Sequence, residues 1–182
     1  MRLELCICAS IPSLNLDTRV VVVMSKRELI TPTNTGRLAS QALTNSVILV
    51  TGDQDRSFNL IDHLVPTRPT LVLYPSEDAP ILDESFRTVL KGPVNLIVPD
   101  GNWRQTSKMR RRVPGMIDFP VVKVALGPQS AYRVRKETKA EGLATIEAIA
   151  RALGVLENSA VQGTLENLMD TMVTRTMASR GQ

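Results

Sequence analysis

The chain has 182 residues, of which 43% are hydrophobic and 22% charged, with a formal net charge of +4. These figures suit one soluble globular domain spanning residues 1–182. They exclude a membrane protein, since no apolar run approaches the length of a span, and Met1-Arg2-Leu3-Glu4 is too short and polar to open a signal peptide.

Cys6 and Cys8 come first along the chain. Two cysteines one residue apart make a poor disulfide framework, and the cytoplasm is the compartment this composition predicts. Apolar, β-branched runs predict strands at 19–24, 47–51, 70–74, 94–98 and 121–125. Helices are predicted over 36–43, 58–64, 83–90, 103–112 and 141–153. The last of these has a capping-box pattern at Thr138 and Glu141, an apolar stripe of Leu143, Ile146, Ile149, Ala150 and Leu153, and Gly154 as its stop. A final helix over 159–179 gathers Val161, Leu165, Leu168, Met169, Met172 and Val173 on one side, fit either to pack on the sheet or to pair with a second copy. The alternation predicts an α/β fold, a mostly parallel sheet with helices on both faces.

The stretch from Pro99 to Met109 is the most informative. An apolar strand ends, turns on Asp100-Gly101, and a helix starts with Asn102 as N-cap and Gln105 three residues on, as a capping box requires. The helix carries Arg104, Lys108, Arg111 and Arg112 on one face. An acid, an indole and a basic face thus meet at the carboxyl end of a strand, where open α/β sheets bind ligands. Trp103 suits stacking on uracil or adenine, and equally suits packing helix on sheet.

Charge is concentrated rather than spread. Five of the nine residues from Arg104 to Arg112 are basic, and Arg133, Arg135, Lys136 and Lys139 form a second cluster. A single basic run is often only a solvated face, but two runs flanking the turn point to RNA phosphates. Thr33-Asn34-Thr35-Gly36-Arg37 places polar caps and a glycine ahead of a helix. There Arg37 could grip a phosphate or carboxylate with its fork, or stand as an ordinary surface arginine. No Walker loop, no G-x-G-x-x-G and no paired carboxylates are present. The one histidine, His63, reads as a helix-surface residue.

Asp100-Gly101-Asn102-Trp103, followed by Lys108-Met109, resembles the D-x-T-W signature of the DTW-domain family. Four further blocks fit the family in the same order: Cys6-Ile7-Cys8 through Pro12, Pro32 to Arg37, Tyr74 to Ala79, and Ser130 to Arg135. The resemblance implies a SPOUT-like fold with a C-terminal trefoil knot. It also implies an S-adenosylmethionine (SAM)-dependent tRNA-uridine aminocarboxypropyltransferase that makes 3-(3-amino-3-carboxypropyl)uridine. Three strand-end loops would then form the SAM pocket from Tyr74, Pro75, Asp100, Gly101, Trp103, Leu126, Ser130 and Tyr132. Arg37, Arg104, Lys108, Arg111, Arg112, Arg133 and Arg135 would hold tRNA.

Within that reading Asp100 is the candidate acceptor for the uridine N3 proton, with ribose binding or simple turn closure as competing roles. Two departures stand out. Asn102 replaces the family's threonine, and both residues cap helices well. Many bacterial relatives carry two more cysteines upstream, whereas this chain offers Cys6, Cys8 and the distant His63, too few for a closed zinc site, so zinc is not expected. A SPOUT-type RNA methyltransferase and an RNA-binding protein without activity are the alternatives, and either a monomer or a homodimer suits the final helix.

Overall fold

The computed structural model describes residues 6–52, 58–125, 130, 132 and 142–181. Five strands form one sheet: β1 (Arg19–Ser25), β2 (Ser46–Thr51), β3 (Thr70–Leu73), β4 (Asn95–Asp100) and β5 (Val121–Val122). Every pairing is parallel, in the order β2-β1-β4-β3-β5. Parallel strands need crossovers, and these supply α1 (Lys26–Leu29), α2 (Thr35–Ala42), α3 (Glu84–Val89) and α4 (Trp103–Arg112). The chain ends in α5 (Thr145–Leu156) and α6 (Ser159–Ser179). The predicted α/β class with a parallel sheet is the one observed.

β4 lies at the centre, and all six of its residues are buried. Strand side chains alternate, so Leu96 and Val98 face one core while Ile97 faces the other. The first core joins β1, β4 and β3 to α2, α5 and α6. The second core is smaller and packs Met109 of α4, Val113 and Met116 against Val21, Val23, Val72 and Ile97. Helices thus cover both faces, heavily on one and thinly on the other. At the amino end of β4, the buried Asn95 side chain accepts from the Val65 N–H at 2.9 Å and donates to the Val65 and Arg68 carbonyls. That amide ties the segment before β3 to the middle of the sheet.

Several predicted boundaries move. The helix expected over 58–64 is a 3-10 turn, Leu60–His63, and His63 is half-buried there rather than on a helix surface. The strand at 121–125 shortens to Val121–Val122, with a further bridge from Lys123 to Ile81. α5 starts at Thr145, where the Glu147 carboxylate takes the Ala144 N–H at 2.7 Å, and it runs on through Gly154. The proposed cap at Thr138 and Glu141 lies outside the described residues. Gly154 is not a stop but a point of close approach: a Cβ there would sit 2.2 Å from the Gln162 Oε1 of α6. α6 buries Val161, Leu165, Leu168, Met169 and Met172 in the first core, resting chiefly on α5 and also on α2. α1 has four residues and no apolar period to reveal it.

The capping box that starts α4 forms as the sequence predicts. Asn102 Oδ1 accepts from the Gln105 N–H at 3.0 Å, and Gln105 Oε1 accepts from the Asn102 N–H at 2.8 Å. Replacing Asn102 with alanine should cost about 1 kcal/mol of unfolding free energy, whereas Asn102→Thr should cost a few tenths at most. Chemical denaturation of the two variants checks this, and equal losses would count against the capping role.

Candidate functional site

The carboxyl end of β4 is built around Asp100. The residue is the last of the strand rather than part of the turn, and its side chain falls on the same face as Leu96 and Val98. It is only 4% exposed. Asn34 donates from Nδ2 to Asp100 Oδ2 at 2.6 Å, and Thr145 donates from its hydroxyl to Asp100 Oδ1. Asn34 is the N-cap of α2 and accepts the Arg37 N–H at 2.7 Å, while Thr145 is the first residue of α5. Two helix N-termini therefore meet one carboxylate, an arrangement that helix dipoles and charge-assisted hydrogen bonds both favour. Gly36 completes the junction, because a Cβ there would stand 2.8 Å from the carboxyl carbon of Asp100. Gly101 follows at φ +148°, a conformation that side chains disfavour, and lets the chain leave the strand for α4.

Around this junction lie two more predicted residues. Tyr132 is buried and donates its hydroxyl to the Thr33 carbonyl at 2.8 Å, clasping the segment ahead of α2. Ser130 donates to the buried Glu147 at 2.5 Å and accepts the Tyr132 N–H at 3.1 Å. Glu147 thus holds both the start of α5 and the 130–132 stretch, a role that sequence reasoning missed. Its position three residues after Ala144 is the signal that could have revealed it.

Trp103, Tyr74 and the basic residues of α4 sit on the opposite side of the sheet. Trp103 is half-buried and meets Tyr74 edge to face, with ring centroids 6.2 Å apart. Tyr74 follows β3, and Pro75 beside it is exposed. Arg104, Lys108, Arg111 and Arg112 are all exposed along α4, as the helical spacing predicts. Arg110 differs: its guanidinium carbon lies 5.1 Å from the centroid of the Tyr74 ring. Arg37 donates to the carbonyls of Leu29 (3.2 Å) and Pro32 (3.3 Å), so its fork braces the loop before α2. Leu126, Arg133 and Arg135 lie outside the described residues, as do Lys136 and Lys139.

Cys6 and Cys8 face each other with Sγ atoms 2.9 Å apart. The hydrogen bond to the Cys8 side chain, and then the Cys8 N–H at 3.4 Å, pull the Cys6 thiol below its usual range. The same side-chain contact and the charge on Cys6 push Cys8 above it. Among the described residues no three His, Cys, Asp or Glu side chains gather as a metal site. A cavity of about 240 Å³, lined by Asp17, Thr18, Arg87, Val94 and Glu157, lies at the amino end of the sheet, remote from the motif. No helix among the described residues is long and apolar enough to cross a membrane.

The chain is 31% identical over 98 residues to "tRNA-uridine aminocarboxypropyltransferase 2" of Drosophila melanogaster. That alignment covers 54% of this chain and 38% of the relative, so the chain spans well under half of that protein's length. No solved structure matches. The DTW domain, in contrast, matches residues 1–177, which take in the Asp100 junction, the aromatic pair and the basic helix alike. The chain belongs to the DTW domain family.

Proposed function

We propose that the protein transfers the 3-amino-3-carboxypropyl group of SAM to N3 of a uridine in tRNA, giving the aminocarboxypropyl nucleoside and methylthioadenosine. The DTW domain match over residues 1–177 carries this reading, and the name of the Drosophila relative supports it. The new bond joins uridine N3 to Cγ of the methionine arm. The Cγ–S bond breaks with its electrons going to sulfur, and the N3 proton leaves. SAM brings its own electrophile, a sulfonium that activates three attached carbons. What the protein supplies is the choice among them, by presenting Cγ rather than the methyl in line with N3. Positioning of this kind is worth roughly 7–11 kcal/mol in favourable cases.

The two sides of the β4 end divide the work in this reading. Gly101, Ser130 and Tyr132, grouped about Asp100, line the SAM side, and the basic face of α4 receives the RNA backbone. A SPOUT-like fold with a C-terminal knot belongs to this reading, with Leu126 assigned to SAM and Arg133 and Arg135 to tRNA; these three lie outside the described residues. Asp100 has both oxygens engaged by Asn34 and Thr145, so it acts as an anchor for the pocket wall, and N3 loses its proton to solvent. Arg37 then serves the pocket by holding its loop rather than by touching tRNA.

Nucleoside mass spectrometry of tRNA transcripts incubated with SAM and the purified protein tests the reaction. Aminocarboxypropyluridine with methylthioadenosine is the expected result; methyluridine with adenosylhomocysteine would assign the fold to methyl transfer instead. A second prediction concerns the junction. In an open helix, Gly36→Ala would gain about 1 kcal/mol of propensity. Here the methyl meets a buried, doubly bonded carboxylate, an overpacking cost of about 1–3 kcal/mol, so the variant should melt lower and turn over more slowly. A raised melting temperature would contradict the close packing of α2 on Asp100.

A further inference from the structure

On the α4 side of the sheet, a cavity of about 160 Å³ is lined by Tyr74, Ser107, Arg110, Arg111 and Ile117. Its lining has two guanidinium groups, one aliphatic hydroxyl and no carboxylate. Arg110 is laid over the Tyr74 ring, whose orientation is set in turn by the edge-to-face contact with Trp103. The Arg110 Nε is covered and has no hydrogen-bond acceptor among the described residues. A buried donor left unpaired is costly, so a ligand that draws the guanidinium out of its cover relieves that cost.

We propose that this cavity binds one backbone phosphate of the RNA, close to the nucleotide being modified, with Arg110 as its principal ligand; the proposal rests on the tRNA reading above. Arginine takes phosphate oxygens with two parallel N–H donors, and an arginine already stacked on an aromatic ring is pre-oriented to do so. Arg111 and the Ser107 hydroxyl add donors from the same helix. The size fits a phosphodiester and is small beside the roughly 300 Å³ at which small-molecule pockets start. A stacked base is disfavoured, because Arg110 already covers a face of Tyr74 and Trp103 already meets that ring. Ile117 is 60% exposed at the rim, an apolar surface against which a ribose can lie. The cavity also adjoins the exposed row of Arg104, Lys108, Arg111 and Arg112, so a strand following that row passes over it.

Binding of tRNA across a salt series, with SAM affinity measured in parallel, tests the assignment for Arg110→Ala, Arg110→Lys and Ser107→Ala. Arg110→Ala should weaken tRNA binding about tenfold, the scale of one charge-assisted contact, and reduce the slope of log affinity on log salt by about 1. Arg110→Lys should restore the slope but only part of the affinity, because it keeps the charge and loses the fork. Ser107→Ala should lower affinity at an unchanged slope. SAM affinity should hold in all three. An unchanged salt slope for Arg110→Ala would overturn the phosphate assignment, and loss of SAM affinity instead would give the cavity to the cofactor. Wild-type protein that binds tRNA with the predicted Arg110 dependence, yet yields no aminocarboxypropyluridine, would overturn the reaction while leaving this site standing. Wild-type protein without tRNA affinity would overturn both.

Discussion

The carboxylate of Asp100 accepts hydrogen bonds from the side chains that open two different helices, Asn34 before α2 and Thr145 at the start of α5. Burying a charge is unfavourable unless each of its oxygens finds a donor, and here both do, at the positive ends of two helix dipoles. The contact is therefore a three-way joint between the central strand and the two helices that begin the larger core. Its geometry leaves no room for a side chain at position 36, which is why glycine stands there. Tyr132 and Glu147 extend the joint outward, one by clasping Thr33, the other by holding Ser130 and the start of α5.

Strand β4 is held by a polar residue at each end. Asn95 binds the segment before β3 at the amino end, and Asp100 binds α2 and α5 at the carboxyl end. Between them lie Leu96, Ile97, Val98 and Pro99, all apolar and all buried. Because its side chains alternate, the motif that continues from it is split: Asp100 belongs to the side of α2 and α5, while Trp103, Tyr74 and the basic residues belong to the side of α4. A bisubstrate transferase has a use for such a division, with one ligand on each flank of a strand end and the reacting atoms meeting above it. In the proposed reading the carboxylate at the joint contributes by fixing the walls rather than by moving a proton.

What could be read from the sequence follows from range. The capping box of Asn102 and Gln105, the exposed row on α4 and the apolar runs of the sheet depend on residues within a few positions of one another, and each is present as expected. The Asn34–Asp100 bond spans 66 residues and the Thr145–Asp100 bond 45, so nothing in either local pattern announces them. Gly154 illustrates the same limit. A glycine at the end of an apolar stripe reads as a helix stop, but it serves the crossing of α6, a tertiary demand that local propensity cannot express. Arg110 was hidden in a different way: one of five basic residues in a short run, it is distinguished only by which side of α4 meets Tyr74.

Titration of SAM into the Asp100→Asn protein tests the anchoring role most directly. An amide keeps one acceptor for Asn34 but loses the charge, and it can hold Thr145 only if that hydroxyl turns to accept, so the joint loosens. The account predicts that SAM affinity falls along with turnover, because the pocket wall is what the substitution damages. Full SAM affinity with turnover abolished would contradict it and make Asp100 the acceptor of the uridine proton.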